Sequence, residues 1–168
     1  MKASLVVGAI DPSMDQSVAQ QSGTTAMDYA AMDAALGRDK HQEMLFAASH
    51  KSAVQWAQAE AKTHGLRDVA VFRHYLNRLS QRGWAQFTIQ SVDLAGPTAR
   101  VRVDNSVYGL QLGKTGRTEC AMFAGSLAGC LEWATTDAGR PAQLTAVETQ
   151  CTAQGHEHCA FEVHRMPG

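Results

Sequence analysis

The sequence has almost no imbalance of charge. Its 168 residues carry 15 Lys and Arg against 16 Asp and Glu, a net charge of −1. No global field therefore steers it toward nucleic acid or acidic lipid. It also lacks a long hydrophobic run. The apolar stretch from Leu5 to Ile10 ends at Asp11-Pro12. That run is too short to span a membrane and has no signal-peptide pattern, so a soluble cytoplasmic protein with no membrane contact is expected. Cysteine is scarce: Cys120, Cys130, Cys151 and Cys159 are the four. Four in a chain this long are no disulfide scaffold, and in the cytosol they serve as metal ligands or core residues. No internal repeat is present. No Gly-x-Gly-x-x-Gly follows a predicted strand, so a dinucleotide site has no fingerprint here. No nucleophile sits in a recognisable pair with a base; Ser106 and His74 stand alone and read as structural.

What is present suffices for one domain with a hydrophobic core. Residues 3–10 could form a short strand, and the polar stretch 11–23 reads as a loop or arm. A short helix is expected from Thr24 to Leu36, ended by Gly37. From His41 to His64 strong helix formers dominate, with a shallow stripe of Phe46, Ala53, Ala57 and Ala61 before Gly65. Val69, Phe72, Leu76 and Leu79 then recur at three- and four-residue steps, an amphipathic helix whose outer face carries Arg67, Arg73, Arg78 and Arg82. Such a basic face can meet an anionic partner, although a solvated helix face is the ordinary reading.

Past Gly83 the pattern changes. Residues 84–92 are rich in β-branched and aromatic side chains, Ala95-Gly96-Pro97 is a turn, and residues 99–104 alternate as a half-buried strand does. Thr118 to Ala134 reads as a helix with Thr118 as a candidate cap and the stripe Phe123, Leu127, Cys130, Leu131, Ala134. Gly125 and Gly129 share one face of it and permit close approach of another backbone. After the loop 137–141, two more strands flank a turn at Gly155. The expected fold is α+β, an antiparallel sheet packed against helices. Residues 1–40 form a helical or irregular extension, and residues 41–168 form the metal-binding domain.

The densest chemistry lies near the C-terminus. Glu148-Thr149-Gln150-Cys151-Thr152-Ala153-Gln154-Gly155-His156-Glu157-His158-Cys159 holds a carboxylate, two thiols and two imidazoles, all potential ligands of a divalent ion. A hairpin brings Cys151 and Cys159 together without a long loop to close. Cys130, on its helix's apolar stripe, reads as a small core hydrophobe. Cys120 opens the same helix, where free N–H groups and the helix dipole favour a thiolate. Cys120, Cys151 and Cys159 form the better trio. For a fourth ligand Glu148, His156 and His158 compete. Imidazole is the commoner zinc ligand, and Glu148, three residues before Cys151, faces the other side of a regular strand. It can join only if the strand ends or bulges there. Spacing leaves the choice open.

The C-terminal half resembles the 4-vinyl reductase domain, which occurs in a bacteriochlorophyll-pathway protein and in the sensor modules of phenol- and xylene-responsive transcription activators. The matching residues are Val101-Arg102-Val103-Asp104-Asn105-Ser106, Cys120 with Gly125 and Gly129, Gly139-Arg140-Pro141, and Glu148, Cys151, Gly155-His156, Cys159 and Phe161. The resemblance spans roughly residues 66–165. In the aromatic sensors three cysteines and a glutamate hold zinc, and carried over by position these are Cys120, Glu148, Cys151 and Cys159. His156 and His158 are then not ligands. A filled tetrahedral shell would make the ion structural.

The resemblance also implies a pocket for a small, largely apolar ligand between sheet and helices, with Phe72, Tyr75, Leu76, Trp84, Phe87 and Tyr108 as candidate lining. The sensors fuse this domain to an ATPase and a DNA-binding region, neither of which is in this sequence. The chain is therefore expected to act alone, as a homodimer, or as a subunit of a larger enzyme or regulatory assembly. The main functional reading is a non-catalytic zinc-stabilised module that binds a small molecule or serves as an accessory subunit. The alternative is a component of tetrapyrrole 4-vinyl reduction, with the reductant supplied elsewhere.

Overall fold

The computed structural model describes residues 29–166. The expected strand over 3–10, the loop over 11–23 and the first residues of the expected Thr24–Leu36 helix lie outside them. Residues 29–36 are helical and form the described part of α1. Gly37, at φ 78°, separates it from α2, Arg38–His64. That helix starts three residues before the expected His41, directly after Gly37, whose carbonyl accepts the His41 N–H (3.0 Å), and its first residue, Arg38, pairs with the buried Glu119 (3.1 Å). Gly65, in the left-handed region at φ 63°, closes α2 by donating its N–H to the Ala61 carbonyl.

Helix α3, Val69–Gln81, follows the expected stripe, with Val71, Phe72, Tyr75 and Leu76 buried. Its start is pinned from outside. The Asp137 carboxylate accepts hydrogen bonds from the Asp68 N–H (2.9 Å) and from Arg67 Nε (3.0 Å). Strands β1, Gln86–Asp93, and β2, Thr98–Asp104, form an antiparallel hairpin. A six-residue helix, α4, Val107–Leu112, comes next, with Ser106 Oγ accepting from the Gly109 N–H. Helix α5 runs Ala121–Asp137, and β3, Leu144–Gln150, and β4, Cys159–Arg165, finish the sheet. All neighbours pair antiparallel, in the order β1-β2-β4-β3.

The expected α+β class is the observed one. The expected cap at Thr118 is not: the N-cap of α5 is Cys120. The carbonyl of Thr118 instead accepts a hydrogen bond from Arg38, and Glu119 is held among Arg38, Thr115 and Arg117. Those contacts keep 118–119 extended, so the helix begins later.

Helix α5 is the centre of the domain. It packs along α2 on one side and against β3 on the other. Eleven of its residues are buried, including Leu127, Cys130 and Leu131. Gly125 and Gly129 make the α2 contact possible, since a Cβ on either would collide with the backbone carbonyl of Phe46 or of His50. The inner face of the sheet supplies Val101, Val103, Leu144, Phe161 and Val163, all buried. The outer face is polar and carries cross-strand pairs such as Arg100 with Glu162 (3.2 Å). Among the described residues no helix is long and apolar enough to cross a membrane.

Candidate metal centre and cavity

Four donor groups converge where α5 begins. Cys120 sits at its N-cap, Glu148 in β3, Cys151 just past that strand, and Cys159 at the start of β4. Their ligand atoms all lie within 4.8 Å of one another. Cys120 Sγ and Cys151 Sγ each stand 3.9 Å from Cys159 Sγ. All three cysteines are fully buried and none is in a disulfide.

The local fold explains how Glu148 reaches the group. Glu148 pairs with Phe161 and Gln150 with Ala160, so Thr149 is an extra residue and the ladder slips there. This bulge cancels the alternation that would send Glu148 and Cys151 to opposite faces. The chain then turns through a short 3-10 segment, Thr152–Gln154, and Gly155 at φ 101° takes it back toward Cys159.

An ion bound by thiolates at about 2.3 Å in tetrahedral geometry sets its sulfurs roughly 3.8 Å apart, close to the spacing here. The electrostatics agree. Glu148 Oε2 accepts the Cys120 N–H at 3.0 Å, but its Oε1 is buried with no hydrogen-bond partner. A buried carboxylate oxygen left so costs free energy unless a cation or proton meets it. Burial, and after it the neighbouring Cys151, pushes the Glu148 carboxyl up to about 8. Cys159 goes the other way, held below the usual thiol range by its hydrogen bonds with Cys120 and Cys151 and the Thr152 N–H, while Cys120 is pushed up by Cys151 and Cys159. Ser106 Oγ lies 3.3 Å from Cys120 Sγ, and with the N-terminal end of α5 it offsets part of the negative charge. The residues present fit a four-coordinate divalent ion. His156 and His158 are in the turn and outside the donor group.

Cys130 is fully buried in the core, away from these donors, and its thiol is raised by burial alone. Glu60, His64 and His74 bring their ligand atoms within 4.8 Å of one another as well. Sequence reasoning did not group them. The i, i+4 spacing of Glu60 and His64 was the available signal. There the Glu60 carboxylate takes both imidazoles, His74 at 2.9 Å and His64 at 3.2 Å.

A cavity of about 380 Å³ lies among α2, α3, α4 and the start of α5, with no strand residue in its lining. Of the six expected residues it brings together Tyr75, Trp84 and Tyr108. Phe72 is buried in the core, while Leu76 and Phe87 border a separate depression beside β1. The expected position between sheet and helices thus gives way to one among the helices, because α5 fills the inner face of the sheet. Trp56, Met122 and Phe123 also line the cavity and had not been singled out. Trp56 packs on Tyr75 with ring centres 4.7 Å apart, and Tyr108 meets Phe123 edge-on at 5.0 Å. The Tyr108 hydroxyl points at the Met122 sulfur, 2.8 Å away.

Residues 12–90 match a family model described as a domain of unknown function, DUF5943. A search of curated proteins finds no match. Among solved structures, the chain is similar to the phenol-responsive sensory domain of the transcription activator PoxR, determined with phenol. The TM-score is 0.72 at 19% identity, covering 86% of this chain and 74% of that one. It is also similar to a vinyl-4-reductase family protein from Methanocaldococcus jannaschii, with a TM-score of 0.57 at 16% identity over 98% of this chain and 100% of that one. A third similar structure is a trafficking protein particle complex subunit 3 from Naegleria fowleri, covalently bound to palmitic acid. There the TM-score is 0.53 at 11% identity, over 88% and 96% of the two chains. The fold expected from the resemblance to the 4-vinyl reductase domain is the fold found.

Proposed function

We propose that this chain is a non-catalytic, zinc-stabilised module that binds a small, largely apolar molecule in the cavity among its helices. The observation that carries the reading is the cavity itself: its volume falls in the range of small-molecule sites, and five aromatic side chains, Trp56, Tyr75, Trp84, Tyr108 and Phe123, line it. Support comes from the fold. One protein that shares it is a sensory domain described with phenol, and another is described with palmitic acid. Both molecules have apolar bodies.

Cys120, Glu148, Cys151 and Cys159 would hold the zinc. With four protein donors the ion has no open position, so what it supplies is a cross-link rather than Lewis-acid chemistry at a substrate. Bound there, it fastens the start of α5 to the β3–β4 turn. Reduced thiols this close suit a reducing compartment, which favours the cytoplasm. The proposed folded unit is the domain over 41–168 extended back to Arg38, where α2 begins, with the preceding residues as an extension. Acting alone, as a homodimer or inside a larger enzyme or regulatory assembly, the module would report ligand occupancy rather than transform the ligand.

Two tryptophans line the cavity, Trp56 and Trp84, so intrinsic fluorescence is the natural assay. Titration of the purified zinc-loaded protein with phenol, alkylphenols and alkylbenzenes is expected to give saturable quenching. Ser126→Phe, which fills the cavity, is expected to abolish it without loss of zinc. No saturable binding of any small aromatic by folded, zinc-loaded protein would sink the reading. Oxidation of NADH or NADPH by the pure chain with a vinyl-bearing tetrapyrrole would move it to the reductase class.

A further inference from the structure

The basic face of α3 is not uniform. Arg67 is engaged by Asp137, and Arg73 lies away from the cavity beside β1. Arg78 and Arg82 differ from both, because they line the cavity together with Trp56, Tyr75, Tyr108 and Phe123. Among the described residues no carboxylate is in that lining. Among the described residues neither guanidinium is in an ion pair. Among the described residues the Arg78 side chain makes one hydrogen bond, to the neutral Gln81 side chain at 3.3 Å. Glu60, the nearby carboxylate that Arg78 influences, gives its oxygen to His64 and His74.

Two cations four residues apart on a helix repel each other. The C-terminal end of α3 favours positive charge in its last turn, which accounts for a cation there. It does not account for a pair that opens onto one largely apolar space while, among the described residues, no carboxylate forms an ion pair with either. On the inner side of the pair, Tyr75 is buried, and Arg82 favours its ionised form although burial dominates and pushes the phenol up to about 12. The site therefore has an aromatic interior and a cationic, hydrogen-bond-donating mouth.

We infer that the ligand is a small carboxylic acid, with its apolar body among Trp56, Tyr75, Tyr108 and Phe123 and its carboxylate between Arg78 and Arg82 at the mouth. The inference rests on the cavity being a ligand site and adds the charge of the ligand. A guanidinium fork matches a planar carboxylate with two parallel hydrogen bonds, which a phenol hydroxyl cannot reciprocate. An arene without a polar group would leave both cations unanswered. The body is a single ring or a short chain, since the space is about 380 Å³.

Matched probes test this: 4-ethylbenzoate, 4-ethylphenol and ethylbenzene, titrated into the full zinc-loaded chain at neutral pH and low salt by calorimetry. The benzoate is expected to bind at least about tenfold more tightly than the phenol, the gain of one charge-assisted contact. In Arg78→Gln/Arg82→Gln that preference is expected to collapse to about twofold or less. Arg78 is half-buried and Arg82, which caps α3, is exposed, and circular dichroism will confirm folding. As a measurement independent of the variant, added salt is expected to weaken the benzoate and not ethylbenzene. If the phenol binds the native protein as well as the benzoate does, or the preference survives in the double variant, the inference is overturned and the cavity reading stands. If none of the three probes binds, the cavity reading falls and takes this inference with it.

Discussion

The backbone N–H of Cys120 donates to Glu148 Oε2 at 3.0 Å, joining residues 28 apart in sequence. One residue thus offers a thiol to the donor group and orients the carboxylate beside it. The second carboxylate oxygen has no hydrogen-bond partner, which is the arrangement a bound cation completes.

One equivalent of zinc per chain is expected in protein purified without added metal, as elemental analysis will check. Cys151→Ser should strip the ion and lower the melting temperature by on the order of 10 °C, since 1 kcal/mol is worth about 2–4 °C in a domain of this size. Cys130→Ser, away from the donors, should keep the metal. Retention of a full equivalent by Cys151→Ser would argue against the assigned shell.

Glutamate and histidine can be separated directly. Glu148→Ala removes one of four proposed ligands and should release zinc at far lower chelator concentration than the native protein. The double change of His156 and His158 to alanine should leave the chelator titration nearly unmoved. The reverse order of the two variants would reassign the fourth ligand.

Gly129→Ala tests the α2–α5 contact. Alanine is the better helix former by about 1 kcal/mol, so an exposed glycine would gain stability. Here the added methyl meets the His50 carbonyl, and the overpacking should cost about 1–3 kcal/mol net. Urea denaturation will read it. A stabilised variant would mean the two helices are not in such close contact.

Glu60 gives a pH dependence with a defined sign. Its hydrogen bond with His74, aided by His64 and Arg78, lowers the carboxyl from its ordinary value of 4.5. A group depressed in the folded state contributes stability above its unfolded pKa and loses it as pH falls through the folded one. The stability difference between native protein and Glu60→Gln should therefore shrink as pH falls from the ordinary carboxylate pKa through the folded one. A difference that grows with acid would reverse the assignment.

Some of this was legible in the residues. The stripe of α3 and the alternation of β2 announced themselves because one face of each is buried and the other is not. Helix α4 did not: six residues are under two turns, too few for periodicity, and only Ser106 as a cap signalled it. The bulge at Thr149 was required by the ligand set that the family resemblance supplied, and no residue there marks it locally. Trp56 and Met122 were passed over for different reasons. The stripe of α2 is shallow, so its burial follows from the glycines of a distant helix. Met122 lies two residues after the proposed metal ligand Cys120 in sequence, yet it lines the cavity.

That last placement sets how the molecule responds to its surroundings. Cys120, Met122, Phe123 and Ser126 occupy the first two turns of one buried helix. The donors meet at its tip and the cavity runs along its flank. If both proposed guests bind, an occupant of the cavity that stiffens these turns would hold the ion more tightly, and loss of the ion would loosen the wall against which the occupant rests. Thermodynamic reciprocity would make the two effects equal in binding free energy, so the chelator concentration at which the proposed ion leaves would gauge what the cavity holds.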